Sequence, residues 1–99
     1  MIAARNNGFL KNDAGTWEEY KTTRSDKARD VLFYRYSHLI YFMRKRIVKK
    51  NPLYEEIEDD LTQEGSIALL KGFESYDPFR EIQFEYFIRK SIKGAMFDF

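Results

Sequence analysis

The chain has 99 residues and no cysteine, and 17 Lys and Arg against 16 Asp and Glu leave a formal net charge of +1. Disulfide scaffolds and thiolate metal sites are excluded, and general attraction to nucleic acid is weak, so any DNA contact has to come from local patches. With 43% hydrophobic and 17% aromatic residues the chain reads as one globular domain, and with no apolar run long enough for a bilayer span or a signal-peptide core the expected location is cytoplasmic.

Residues 1–12 hold Asn6-Asn7-Gly8 and Asn12 with little periodicity, and they are expected to form a flexible arm ahead of a domain over 13–99. Thr16 and Glu19 have capping-box spacing, which predicts a short helix over 16–22 with Trp17 anchoring it to the rest. Ser25-Asp26 caps a longer helix over 25–49, where Val31, Leu32, Leu39, Ile40, Met43 and Ile47 recur at helical spacing until Asn51-Pro52 ends it. A third helix is expected over 56–75, opening on Glu56, Glu58, Asp59 and Asp60, carboxylates that the positive end of the helix dipole favours. Asp77-Pro78 is a turn, and a fourth helix runs from residue 83 onward. The expected fold is all-α: three main helices in a compact bundle plus the short N-terminal one.

At about 100° per residue, Ile57, Leu61, Gly65, Ala68, Leu69 and Phe73 share one broad arc of the third helix, the arc that faces a core. The opposite arc mixes Asp60, Gln63, Glu64 and Lys71 with Ile67 and Leu70. Two readings follow. Single exposed apolar residues are common and a second layer can cover them; alternatively this is a protein-binding face, with Ile67 and Leu70 as anchors and carboxylates meeting a basic partner. Downstream, Tyr76, Phe79, Phe84, Tyr86 and Phe87 interleave with Arg80, Arg89, Lys90 and Lys93. Rings to stack unpaired bases and cations to track phosphates are what a single strand requires, although a ring at helical spacing is more often core than platform.

Other clusters carry less. The run Arg44, Lys45, Arg46, Lys49 and Lys50 is a basic patch that offers a contact for DNA or polymerase, although cations near a helix C-terminus are favourable without any ligand. His38, among Tyr34, Tyr36 and Tyr41, has no implied thiol or hydroxyl partner and reads as packed or surface, not catalytic. The carboxylates from Glu55 to Asp60 lack the Asp/Asn-Gly spacing of a calcium loop. No metal, cofactor or catalytic residue is expected.

The run DDLTQEGSIALLKGFESYDP followed by FEYFIRKSIKGAM resembles the second conserved region of bacterial RNA polymerase sigma factors. The Ile-Lys-Gly-Ala segment is nearest to the flagellar and sporulation types. Likeness runs from about Ser25 to the end, and more weakly from Asp13. The resemblance implies that Asp60, Gln63, Glu64, Ile67 and Leu70 grip the clamp helices of the large subunit of core RNA polymerase. It also implies that the fourth helix holds the non-template strand of melted promoter DNA. Phe87 falls where the family stacks a flipped adenine, Tyr76 and Arg80 where the pocket is lined, and Phe84 and Tyr86 among strand contacts. Lys90 and Ser91 replace the tryptophan pair of primary factors, so phosphate contact from Lys90, with Lys93 beyond it, is expected in place of stacking there. Ile82 and Gly94 also depart from the primary pattern, so promoter preference does not carry over. A chain ending at Asp98-Phe99 is expected to be either a piece of a longer factor or a short co-sigma needing a second sigma-like polypeptide. An anti-sigma factor is a further partner that the resemblance admits. Two other classes remain: a regulator that binds polymerase without reading DNA, and, more distantly, a metal-dependent nuclease using the carboxylates.

Overall fold

The computed structural model describes the backbone of residues 7–80 and 82–98 and the side chains of residues 15–80 and 82–98. Helix α1 spans Asn7–Thr23, so Thr16 lies inside it and does not cap its start. Residues 7–12, expected in an arm, are helical; residues 1–6 lie outside the described residues. Burial of Trp17 and Tyr20 against the rest of the molecule accounts for a helix that tolerates Gly8 and Gly15, each unfavourable by about 1 kcal/mol relative to alanine. Arg24, in the left-handed region at φ 55°, ends α1. Its amide donates to the Tyr20 carbonyl (2.8 Å), and its guanidinium turns back to donate to the carbonyls of Tyr20 (3.2 Å) and Lys21 (2.7 Å), helping to satisfy the helix end.

Helix α2 spans Asp26–Lys50 and starts as its sequence requires, with the Ser25 hydroxyl accepting from the amide of Ala28 at 3.1 Å. Asn51 closes it, its amide donating to the Ile47 carbonyl at 3.0 Å. The Asn51 side chain also accepts from the Leu53 amide (3.3 Å), opening a 3-10 turn over Pro52–Ile57 that periodicity does not show. Helix α3 therefore begins at Glu58, two residues later than expected, and runs to Ser75. Asp77 builds the following turn by accepting from Phe79 (3.0 Å) and Arg80 (3.2 Å). Helix α4 spans Phe84–Phe97. The fold is all-α, as expected.

Leu32, Leu61, Leu69, Phe73, Ile88, Ile92 and Met96 form the fully buried centre, joining α2, α3 and α4. Two glycines set how closely α3 and α4 approach. A Cβ on Gly72 would lie 2.0 Å from Ile88 Cδ1, and one on Gly65 would lie 2.6 Å from Met96 Cε. One end of this core is aromatic: Phe84 has Tyr36 at 4.7 Å, Trp17 and Tyr76 at 5.0 Å and Phe73 at 5.4 Å between centroids. There α1 is clipped to the end of α3. Tyr20 donates to the Glu74 carboxylate, Arg24 pairs with it at 3.3 Å, and Lys21 Nζ donates to the Glu74 carbonyl at 3.0 Å. The Tyr20 hydrogen bond, helped by Arg24 and Lys21, holds the Glu74 pKa below the ordinary carboxylate value, while burial and then Glu74 push the Tyr20 phenol up.

Candidate functional site

Helix α4 buries Phe84, Ile88, Ile92 and Met96, an unbroken i, i+4 row, and so turns its other residues away from the core. Those residues form one wall of a groove of about 650 Å³. Tyr86, Phe87, Lys90, Lys93 and Phe97 come from α4, Arg46, Ile47 and Lys50 from the end of α2, and Tyr54 from the 3-10 turn. Five cations and four rings line this groove, and among the described residues no carboxylate does. Arg89, the fifth cation, has the carboxylate of Glu85 beside it at 3.3 Å. Phe87 is half-buried, with Tyr76 at 5.4 Å and Phe84 at 6.1 Å behind it and the groove before it. That is the setting for a stacking platform: a ring held by the core with area left for a ligand. Tyr86 is 77% exposed, and Lys93 Nζ lies 5.9 Å from the centroid of Phe97.

Two of the expected strand contacts belong to the core instead. Phe84, at 3% exposure, is the hub of the aromatic cluster, because the α4 row that buries Ile88 and Ile92 starts with it. Tyr76 is 8% exposed, and its hydroxyl donates to the Ile82 carbonyl at 2.5 Å, which fixes the approach to α4. Burial, and next the charge of Asp77, push its phenol pKa up. Tyr76 thus supports Phe87 from behind and does not line the groove. Arg80 is exposed in the Asp77 turn, also outside the groove lining. Tyr54 and Phe97 were not singled out for the site by sequence. Arg46 and Lys50 were noted only within the basic run of α2, whose dipole explanation was sufficient in isolation.

Helix α3 offers the second surface. Asp60 and Gln63 are exposed, Glu64 is half-exposed, and Ile67 and Leu70 keep 42% and 38% of their surface in solvent. Among the described residues, no second layer covers the two apolar side chains. Glu58, by contrast, turns toward α2, where Arg44 Nε lies 3.7 Å from its carboxylate while the same guanidinium donates to Thr62 Oγ1 at 2.8 Å. That contact ties α2 to α3 and leaves Asp59, Asp60 and Glu64 as outward carboxylates.

The sequence model of the family described as Sigma-70 region 2 matches residues 32–99, more than half of the chain. The chain belongs to the sigma-70 region 2 family. The RNA polymerase sigma-D factor of Bacillus subtilis (strain 168) is 31% identical to it over 86 residues, 87% of this chain and 34% of that protein. The chain therefore spans about a third of the length of this curated relative. No solved structure matches it. In this sigma-70 region 2 chain, the matched residues include every side chain of the groove and of the outward α3 face, while α1 and its clip on Glu74 involve residues ahead of the match. No helix among the described residues is long and apolar enough to cross a membrane.

Proposed function

We propose that this sigma-70 region 2 chain works in transcription initiation, binding core RNA polymerase through α3 and the melted upstream promoter element through α4, and that it acts by binding alone. The groove carries the reading, since rings beside cations, with no carboxylate among the lining side chains, suit a single strand better than duplex or protein. A base extruded from the duplex stacks on Phe87, which the core holds still. Tyr86 offers a second ring, and Lys90, Lys93, Arg46 and Lys50 accept the phosphates on either side. Stacking contributes roughly 1–3 kcal/mol per base, enough for two captured bases to offset the few kcal/mol lost on unstacking them. With a net charge of only +1, the module depends on polymerase to hold the promoter near the groove. Ile67 and Leu70, flanked by Asp60, Gln63 and Glu64, supply that attachment by apolar anchoring within a ring of charge.

Site-specific crosslinking in the assembled complex tests both halves together. A photoreactive group replacing Tyr86 should label the non-template strand of a fork-junction probe, and one replacing Ile67 should label the polymerase large subunit. Labelling of polymerase from both positions, with none of DNA, would instead favour a regulator that binds polymerase without reading the promoter.

A further inference from the structure

A helix lying on a globule ordinarily turns its apolar side chains inward and its charges outward. Helix α2 turns rings outward as well. At about 100° per residue, Val31, Tyr34, His38, Tyr41, Phe42 and Lys45 occupy less than a third of its circumference. Tyr34 is 85% exposed, Phe42 59%, Tyr41 48% and Val31 39%, a run of apolar surface along three turns of one helix. The stripe shares no residue with the groove lining or with the outward face of α3. The charges that share its arc are the cations Lys45 and Lys49, and from Val31 to Lys50 the sequence has no Asp or Glu.

We propose that this stripe docks an acidic amphipathic helix of another protein. The spacing of Val31, Tyr34, His38 and Phe42 matches the i, i+3, i+7 anchors by which one helix reads another, and Lys45 and Lys49 stand ready for carboxylates flanking the partner's apolar row. Ring geometry favours protein over nucleic acid. Phe42 meets His38 at 84° and Tyr41 at 65°, with centroids 6.1 and 6.0 Å apart, so the rings form an edged, uneven surface and not a row of parallel platforms. The Tyr41 ring is also taken, with Arg44 at 5.2 Å and Lys45 at 5.5 Å from its centroid. Bases stack on open ring faces. Leucine and phenylalanine knobs fit between ring edges, and Lys45, held beside Tyr41, attracts carboxylates.

The test uses the full chain and a fluorescent twenty-residue helical peptide with leucines at i, i+3, i+4 and i+7 and glutamates on both flanks. Anisotropy should report binding that falls at least tenfold in Tyr34→Ser/Phe42→Ser and again in Lys45→Glu, with melting temperatures unchanged because these side chains are exposed. Lys71→Glu, a charge reversal on α3 away from the stripe, should leave peptide affinity as it was. Three results would overturn the proposal: equal affinity for a scrambled peptide of the same composition, binding of an oligo-dT strand that the same double substitution abolishes, or self-association in sedimentation that it abolishes.

Discussion

Phe87 and Phe84 sit three residues apart on α4, yet one lines the groove and the other closes the core. That difference predicts how each responds to truncation. Leu61→Ala and Phe73→Ala, at side chains with no solvent exposure, should each destabilise the domain by roughly 2–5 kcal/mol, and Phe84→Ala should fall in the same range. Phe87→Ala should cost clearly less. Thermal melts of the four variants decide the matter; if Phe87→Ala were the most damaging, its ring would be a core element and the stacking platform would be lost. The tyrosines give a pH prediction of known sign. Tyr20 and Tyr76 have phenol pKa values raised by burial, so their contribution to stability is complete below about pH 10, the unfolded value, and is lost as pH rises through the folded values. Glu74 works in the other direction: its lowered pKa gives a contribution present above the ordinary carboxylate value and lost as pH falls through the folded one. Tyr20→Phe should remove part of the alkaline loss and of the Glu74 acid loss together, because one hydrogen bond is a cause of both shifts. Melting temperature against pH for wild type and Tyr20→Phe would show it, and parallel curves would contradict it.

Helix α3 is packed on one side and exposes Ile67 and Leu70 on the other. On the packed side, Gly72→Ala gains up to about 1 kcal/mol of helix propensity but drives a methyl into the fully buried Ile88, an overpacking that costs about 1–3 kcal/mol. Gly65→Ala should be milder, since the flexible end of Met96 is what it meets first. Chemical denaturation of the two variants should rank Gly72→Ala as the less stable, and the reverse order would mean that α3 and α4 are not spaced as described. On the outward side, Gln63→Ala, Leu70→Ala and Glu64→Lys should weaken co-purification with core polymerase while leaving helicity unchanged. Glu64→Lys should be worst, because it places a cation against a basic partner. Wild-type recovery of all three would remove the docking assignment. Much of this helix was legible in advance, because periodicity separates Leu61, Leu69 and Phe73 from Ile67 and Leu70 without any knowledge of neighbours. The capped start of α2 at Ser25 was equally legible. Helix α1 was not: its length depends on what Trp17 and Tyr20 pack against, and a local capping pattern at Thr16 competed with that tertiary contact and lost.

Across the whole molecule, the groove exists only because the end of α2, the 3-10 turn and α4 come together. A sequence shows which face of a helix is apolar, but not which helix lies opposite. The four rings and five cations of the groove were therefore only partly foreseen, through Tyr86, Phe87, Arg89, Lys90 and Lys93 and the basic run of α2, while Tyr54 and Phe97 were invisible and Phe84 was assigned to the wrong side of its own helix. The proposed strand binding combines two kinds of contact, stacking and phosphate pairing, that respond differently to salt. Lys93→Ala should weaken binding of the polymerase complex to every probe and flatten its salt dependence, since a lost phosphate contact releases fewer counterions. The central claim is tested most directly by the affinity of polymerase carrying this module for a fork-junction probe with an exposed non-template strand, compared with the same sequence as closed duplex. Wild type should prefer the open probe, and Phe87→Ala should lose roughly 1–3 kcal/mol of that preference, the value of one stacked base. Equal discrimination by wild type and Phe87→Ala would contradict the account.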